Sequence, residues 1–166
     1  MHQGKRTKKM TLLGLLLAVS MILSYVESQI PFFFGVPGMK LGLPNMAIVM
    51  ILYLYGWKEA LVVNVMRIVL TGFLFGNLSM ILFSLSGALI SFIVMLLLKK
   101  TERFNMSGVS MGGGWAHNVG QILVAIFIVK TSGMLYYLPF LAIAGILTGF
   151  LNGTIASRVL PRIQKL

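Results

Sequence analysis

Ala60-Leu-Val-Val-Asn64-Val-Met-Arg67-Ile-Val-Leu-Thr71-Gly-Phe-Leu-Phe75 is an apolar run with one cation near its middle. The run suits lipid, and a charge at the centre of a bilayer costs at least about 2.5–3.5 kcal/mol on insertion scales. A guanidinium kept at that depth faces a protein interior or a polar cavity and needs a counter-group. The chain has no aspartate, and its only carboxylates are Glu27, Glu59 and Glu102. Three partners remain open for Arg67: Glu27, backbone carbonyls with water, or an anionic ligand from outside the chain.

Composition says which solvent the rest of the chain meets. Of 166 residues, 58% are hydrophobic and 10% charged, with mean hydropathy +0.94. A soluble domain carries roughly 25% charged residues. The chain therefore reads as one integral membrane domain over residues 1–166, all-α and polytopic. Six transmembrane helices are expected at about 10–26, 41–55, 60–75, 78–98, 106–129 and 135–156. The second and third are short for a hydrocarbon core that takes about 20 residues. Short or broken helices of this kind border a cavity or an interfacial loop.

The net charge of +11 suggests nucleic acid until its distribution is read. Lys5, Arg6, Lys8, Lys9, Lys58, Lys99, Lys100, Arg103, Arg158, Arg162 and Lys165 all fall on one side of the expected membrane. Lys40 and Lys130 fall on the other. This is the positive-inside pattern, with both termini cytoplasmic in a bacterial plasma membrane. The membrane lipid is the partner it implies, and nucleic acid is not. The basic start followed by an apolar run also has the shape of a signal peptide. The stretch Ser24-Tyr-Val-Glu-Ser28 lacks a small-x-small cleavage site, so the run reads as the first helix.

Polar residues inside the spans mark the candidate site. Asn64, Arg67 and Thr71 share one helix face by their three- and four-residue spacing. His117 and Gln121 are four apart, with Asn118 adjacent. The two faces are expected to look at each other across one pocket. Glu27, Lys40, Asn45 and Asn77 would rim its outer end. A packing role for His117 stays open beside the ligand role. In Gln29-Ile-Pro-Phe-Phe-Phe-Gly-Val-Pro-Gly-Met-Lys40, prolines and glycines predict a loop at the membrane surface. Phe32, Phe33 and Phe34 would either close over an aromatic or isoprenoid ligand as a lid or anchor the loop in the interface.

Small residues recur every fourth position: Gly14 and Ala18 in the first span, Gly108 and Gly112 in the fifth, Gly145, Gly149 and Gly153 in the sixth. In lipid such faces allow close helix approach. The sixth-span set reads as a contact within the bundle, and Gly14 with Ala18 as a surface for docking another membrane subunit.

Several chemistries are absent. Without cysteine or aspartate, no thiolate metal site, Cys nucleophile or Ser-His-Asp triad exists. No Walker motif is present. No metal or cofactor is expected.

Ile30-Pro-Phe-Phe-Phe-Gly-Val-Pro-Gly-Met-Lys-Leu-Gly-Leu-Pro-Asn45 resembles the loop and helix start of substrate-binding S components of energy-coupling factor (ECF) transporters. Across nearly its whole length, the chain looks like the Gx transporter family, also labelled heptaprenyl diphosphate synthase component I. Leu41-Gly-Leu-Pro-Asn-Met46 and Gly113-Gly-Trp-Ala-His-Asn-Val-Gly-Gln121 carry that likeness. The resemblance implies an S-component-like fold that captures a small anionic, aromatic or isoprenoid-like solute from the outer side. It also implies a transmembrane coupling subunit, docked on the Gly14/Ala18 stripe, and separate ATPases. Asn45 stands where many S components carry an acidic residue, so no substrate carries across. The synthase label does not fit a catalytic subunit, because prenyl synthases hold Mg²⁺ on aspartate-rich motifs. An alternative is a non-catalytic membrane partner in isoprenoid, quinone or electron-transfer machinery. A membrane enzyme using His117 as acid/base is a third reading.

Overall fold

The computed structural model describes residues 2–29, 42–130 and 132–165, and within them every regular element is helical. Helix α1 is His2–Gln29, α2 Asn45–Leu54, α3 Trp57–Phe75, α4 Leu78–Lys100, α5 Met106–Val129 and α6 Leu138–Gln164, the last preceded by a 3₁₀ turn at Ser132–Tyr137. Lys40, the trio Phe32, Phe33 and Phe34, and the expected lid loop beyond Gln29 lie outside the described residues.

The expected all-α class holds. Three helical segments are long and apolar enough to cross a membrane: Gln3–Gln29, Leu78–Lys100 and Gly133–Gln164. Helix α3 is diluted by Lys58, Glu59 and Arg67, and α5 by its glycines and by His117, Asn118 and Gln121. The larger departure is α2. The apolar stretch 41–55 yields a helix of only ten residues, about 15 Å long against a hydrocarbon core of roughly 30 Å. Pro44 is where that helix begins rather than an interruption within it. Conversely, α1 and α6 run beyond the expected limits, because lysine and arginine continue a helix nearly as well as leucine.

Neighbour relations explain how so short a helix is held. Helices α1, α3, α4, α5 and α6 pack in that order, each against the next. Among the described residues α1 touches neither α4, α5 nor α6. Helix α2 closes the arrangement, contacting α1, α3, α5 and α6. Its residues 47–52 are all buried, Ala47, Ile48, Val49 and Ile51 completely. An apolar helix buried on every side belongs in a protein interior.

Glycines set the closest approaches. A Cβ on Gly114 would lie 2.1 Å from the Gly145 carbonyl oxygen, and one on Gly149 2.5 Å from that of Ser110. Helices α5 and α6 therefore meet backbone to backbone, which places the sixth-span glycines inside the bundle. On the other side of α5, a Cβ on Gly113 would strike Met95 of α4 at 2.6 Å.

The end of the bundle rich in lysine is tied down by specific contacts. Lys99 Nζ donates to the Leu52 carbonyl at 2.6 Å and sits 4.6 Å above the Tyr53 ring. This pins the C-terminus of α2 to that of α4. Lys9 of α1 pairs with Glu59 in the first turn of α3, where a carboxylate also suits the helix dipole. The Lys9 hydrogen bond holds the Glu59 carboxyl below its ordinary value. A depressed acid stabilises the fold above the unfolded-state pKa and loses that contribution as pH falls through the folded-state one. Glu59→Gln is expected to cost less than about 1 kcal/mol at pH 7, since the pair is partly exposed. Thermal midpoints of wild type and variant should converge on acidification below the ordinary carboxylate range; a gap constant down to pH 3 contradicts this assignment.

Candidate functional site

The molecule exposes large apolar side chains and buries a set of polar ones beside its apolar core. Phe127 is 83% exposed, Phe73 77% and Tyr136 89%. Ser20, Ser24 and Glu27 of α1 are buried, as are Asn64, Arg67 and Thr71 of α3, Ser84 and Ser91 of α4, Ser110, His117, Asn118 and Gln121 of α5, and Asn152 of α6. Water would reverse this arrangement; lipid accepts it. The long apolar helices and this outward-facing apolar surface make the chain a membrane protein.

Helical periodicity presents these groups. Ser20, Ser24 and Glu27 fall at spacings of four and three, so α1 turns a polar stripe toward α3. Asn64, Arg67 and Thr71 do the same on α3, and Thr71 Oγ donates back to the Arg67 carbonyl at 2.7 Å. Arg67 is 7% exposed. Its NH2 nitrogen donates to Asn64 Oδ1 at 2.8 Å and its NH1 nitrogen to Ser24 Oγ at 3.4 Å. Its Nε–H has no hydrogen-bond partner among the described residues. Glu27, one turn beyond Ser24, acts on the guanidinium through space. No ion pair joins them, and Lys9–Glu59 is the only one among the described residues.

A cavity of about 20 Å³ lies against Arg67. Its lining runs along α3 from Arg67 past Thr71 to Phe75 and Gly76, with Ser24 and Ser28 of α1 on one side and Met80 and Ser84 of α4 on the other. Since α1 and α4 do not touch, α3 alone bridges the two walls. The Tyr25 and Phe75 rings pair at 4.9 Å, tilted by 52°, at the Phe75 end of this crevice.

A second cavity of about 10 Å³ lies among α2, α4, α5 and α6. Asn45, His117, Asn118 and Asn152 line it, with Ser91 and Ser110. Asn118 Nδ2 donates to the Leu141 carbonyl at 2.7 Å. Asn152 Nδ2 donates to the Gly42 carbonyl at 2.8 Å, while the Gly42 N–H donates to Glu27 Oε1. One residue, Gly42, thus ties α1 and α6 to the start of α2. Gly42 has φ +78°, in the left-handed region where a side chain adds strain.

The expected site residues therefore divide. Asn64 and Arg67 lie together, with Thr71. Asn45, His117 and Asn118 lie together elsewhere. The expectation that the Arg67 and His117 faces meet across one pocket differs from the two described cavities, which share no lining residue. Gln121 lines neither; it packs against Gly87 of α4, and its Nε2 has no partner among the described residues. Glu27 serves Gly42 at the C-terminal end of α1. Gly14 and Ala18 face outward, and a Cβ on Gly14 would meet nothing within 4 Å.

Sequence reasoning missed Ser24, Ser28, Ser84, Ser91, Ser110 and Asn152. The signal was present for Ser24, in the four-three spacing of Ser20, Ser24 and Glu27, and for Ser84 and Ser91, seven apart on α4. Lone serines in apolar helices carry little weight individually, because their hydroxyls can bond the preceding turn.

The family model of heptaprenyl diphosphate synthase component I matches residues 16–159. No curated protein and no solved structure matches the chain. The matched stretch runs from α1 into α6 and takes in every helix that contributes a buried polar residue. The chain belongs to the heptaprenyl diphosphate synthase component I family.

Proposed function

We propose that this chain is the solute-binding subunit of a membrane transport system, similar to the S components of ECF transporters. It would take up a small anionic or amphipathic molecule from the outer side. In this reading six segments cross the plasma membrane, the second of them ending in the short helix α2, and both termini are cytoplasmic. The observation that carries the reading is Arg67: a buried guanidinium with neutral hydrogen-bond partners, an unengaged Nε–H and a cavity beside it. A group that served packing alone would be saturated by its neighbours or replaced by an apolar side chain. His117, Asn118, Asn45 and Asn152 form a neutral polar lining suited to the body of the same solute or a second one.

The test is native mass spectrometry of protein extracted under mild conditions. The expected spectrum shows a bound small molecule that is absent from Arg67→Met. A chain that retains nothing, or retains the same adduct in the variant, refutes the assignment of Arg67.

Transport would need partners, and the outward Gly14/Ala18 stripe is where a coupling subunit would sit. Gly14→Leu is expected to leave the thermal midpoint of the isolated chain unchanged, because the added side chain meets no neighbour. It should abolish co-purification of the ATPase-bearing complex; undiminished co-purification moves the docking surface elsewhere.

The family description favours one alternative, a non-catalytic membrane component working beside a prenyl synthase. Co-purification distinguishes the two: a paired ATPase supports transport, and a prenyl synthase or redox protein supports the alternative.

A further inference from the structure

The walls of the Arg67 cavity carry an unequal set of hydrogen-bonding groups. Ser24 donates its proton to the Ser20 carbonyl at 2.9 Å, Ser28 to the Tyr25 carbonyl at 2.7 Å and Thr71 to the Arg67 carbonyl at 2.7 Å. A hydroxyl has a single proton to give. These three oxygens therefore meet a ligand as acceptors, with lone pairs only. Ser84 makes no hydrogen bond among the described residues and keeps its proton available. The guanidinium has five N–H groups, of which one bonds Asn64 and one Ser24.

Charge is equally one-sided. Among the described residues Arg67 is the single cation lining the cavity, and Glu27 acts upon it through space. Each negative charge on a ligand beyond the first would meet no further lining cation among the described residues. In a low-dielectric interior such a charge is strongly disfavoured.

A ligand complementary to these walls accepts from Arg67 and Ser84 and donates to Ser24, Ser28 and Thr71. We propose that the Arg67 cavity selects an oxyanion with at most one negative charge that brings its own O–H or N–H donor. A protonated phosphate monoester or a hydroxy-carboxylate meets that description. Sulfate esters and diphosphates do not, because they only accept, and a diphosphate adds uncompensated charge. The cavity measures about 20 Å³, so only the polar end of the head group would reach Arg67, and any apolar remainder would lie toward Phe75 and Met80. This proposal rests on the reading of Arg67 as a solute-binding group and adds the class of solute.

The experiment is calorimetric titration of the full chain in lipid nanodiscs with phenyl phosphate, phenyl sulfate and pyrophosphate, each at pH 5 and pH 8. Phenyl phosphate keeps one P–OH at pH 5 and loses it through a second ionisation near pH 6. The other two probes offer, respectively, the same single charge without a donor and a surplus of charge. Phenyl phosphate at pH 5 should bind about 10-fold or more tightly than phenyl sulfate, since bonds involving a charged group are worth that much. It should weaken by a similar factor at pH 8, while phenyl sulfate stays constant and pyrophosphate fails to bind. Thr71→Val and Ser28→Ala delete acceptors without touching the charge, and should narrow the phosphate-to-sulfate ratio to about threefold or less.

Equal or tighter binding of phenyl sulfate or pyrophosphate, lost in Arg67→Met, overturns the proposed class and leaves Arg67 as a solute-binding group. Binding of none of the three probes also overturns the class. The broader reading falls only when native mass spectrometry finds no Arg67-dependent adduct either.

Discussion

Gly114→Leu is expected to yield a chain that inserts but does not assemble, and Gly114→Ala one that loses about 3 kcal/mol, near the upper end for overpacking. A Cβ at position 114 would lie 2.1 Å from the Gly145 oxygen and 3.4 Å from Gly149 Cα. The obstacle is backbone, so no rotamer change can relieve it, and the two helix axes must separate. Separation forfeits the dispersion contacts that hold helices together where lipid removes the hydrophobic driving force. Because α5 bridges α4 and α6, and α6 in turn supports α2, the damage would spread through the bundle. Thermal unfolding in detergent, followed by size-exclusion chromatography, reads the effect. Gly14→Ala is the control: with open space at that Cβ, its change should stay within about 0.5 kcal/mol. Equal sensitivity at the two positions would contradict the packing described.

Arg67→Met should separate stability from binding. Removing the guanidinium deletes a buried charge that lacks an ion-pair partner, which favours the folded state. It also leaves Asn64 Oδ1 and Ser24 Oγ without their donor, at about 1–3 kcal/mol each. These terms are similar in size and opposite in sign, so the thermal midpoint is expected to hold. Affinity for the retained solute should fall about 100-fold or more, equivalent to about 2.7 kcal/mol, through loss of charge-assisted hydrogen bonds. Arg67→Lys keeps the charge without the planar fork and should recover part of that loss. A variant that unfolds while the lysine form stays stable would mean that the charge serves the fold rather than a solute.

Particular residues show how far sequence reading reached. The face bearing Asn64, Arg67 and Thr71 was legible because a helix of known period fixes which side chains stand together. The length of α2 was not. Residues 46–54 are uniformly apolar, so nothing in their pattern distinguishes a span from a half-span; length and the position of Pro44 were the usable clues. The division of the polar residues between two cavities was also invisible, since periodicity orders residues within a helix and says nothing of which helices meet. Glycine spacing illustrates the same limit. Gly145, Gly149 and Gly153 bury against α5, whereas Gly14 and Ala18, at the same spacing, face outward. Only the partner's backbone distinguishes them.

The half-length of α2 has a consequence for biogenesis. Ten residues cannot anchor themselves across a bilayer while a ribosome is still supplying the chain, and their terminal N–H and C=O groups would face hydrocarbon unpaired. Helix α2 can settle only after α5 and α6 have been synthesised to enclose it, late in translation although early in sequence. With no native thiols to interfere, a cysteine introduced at Ile51 offers a clock. It should label freely on nascent chains arrested before α5 and become shielded once α6 is released. Shielding before α5 emerges would show that α2 and α3 insert as a self-sufficient pair.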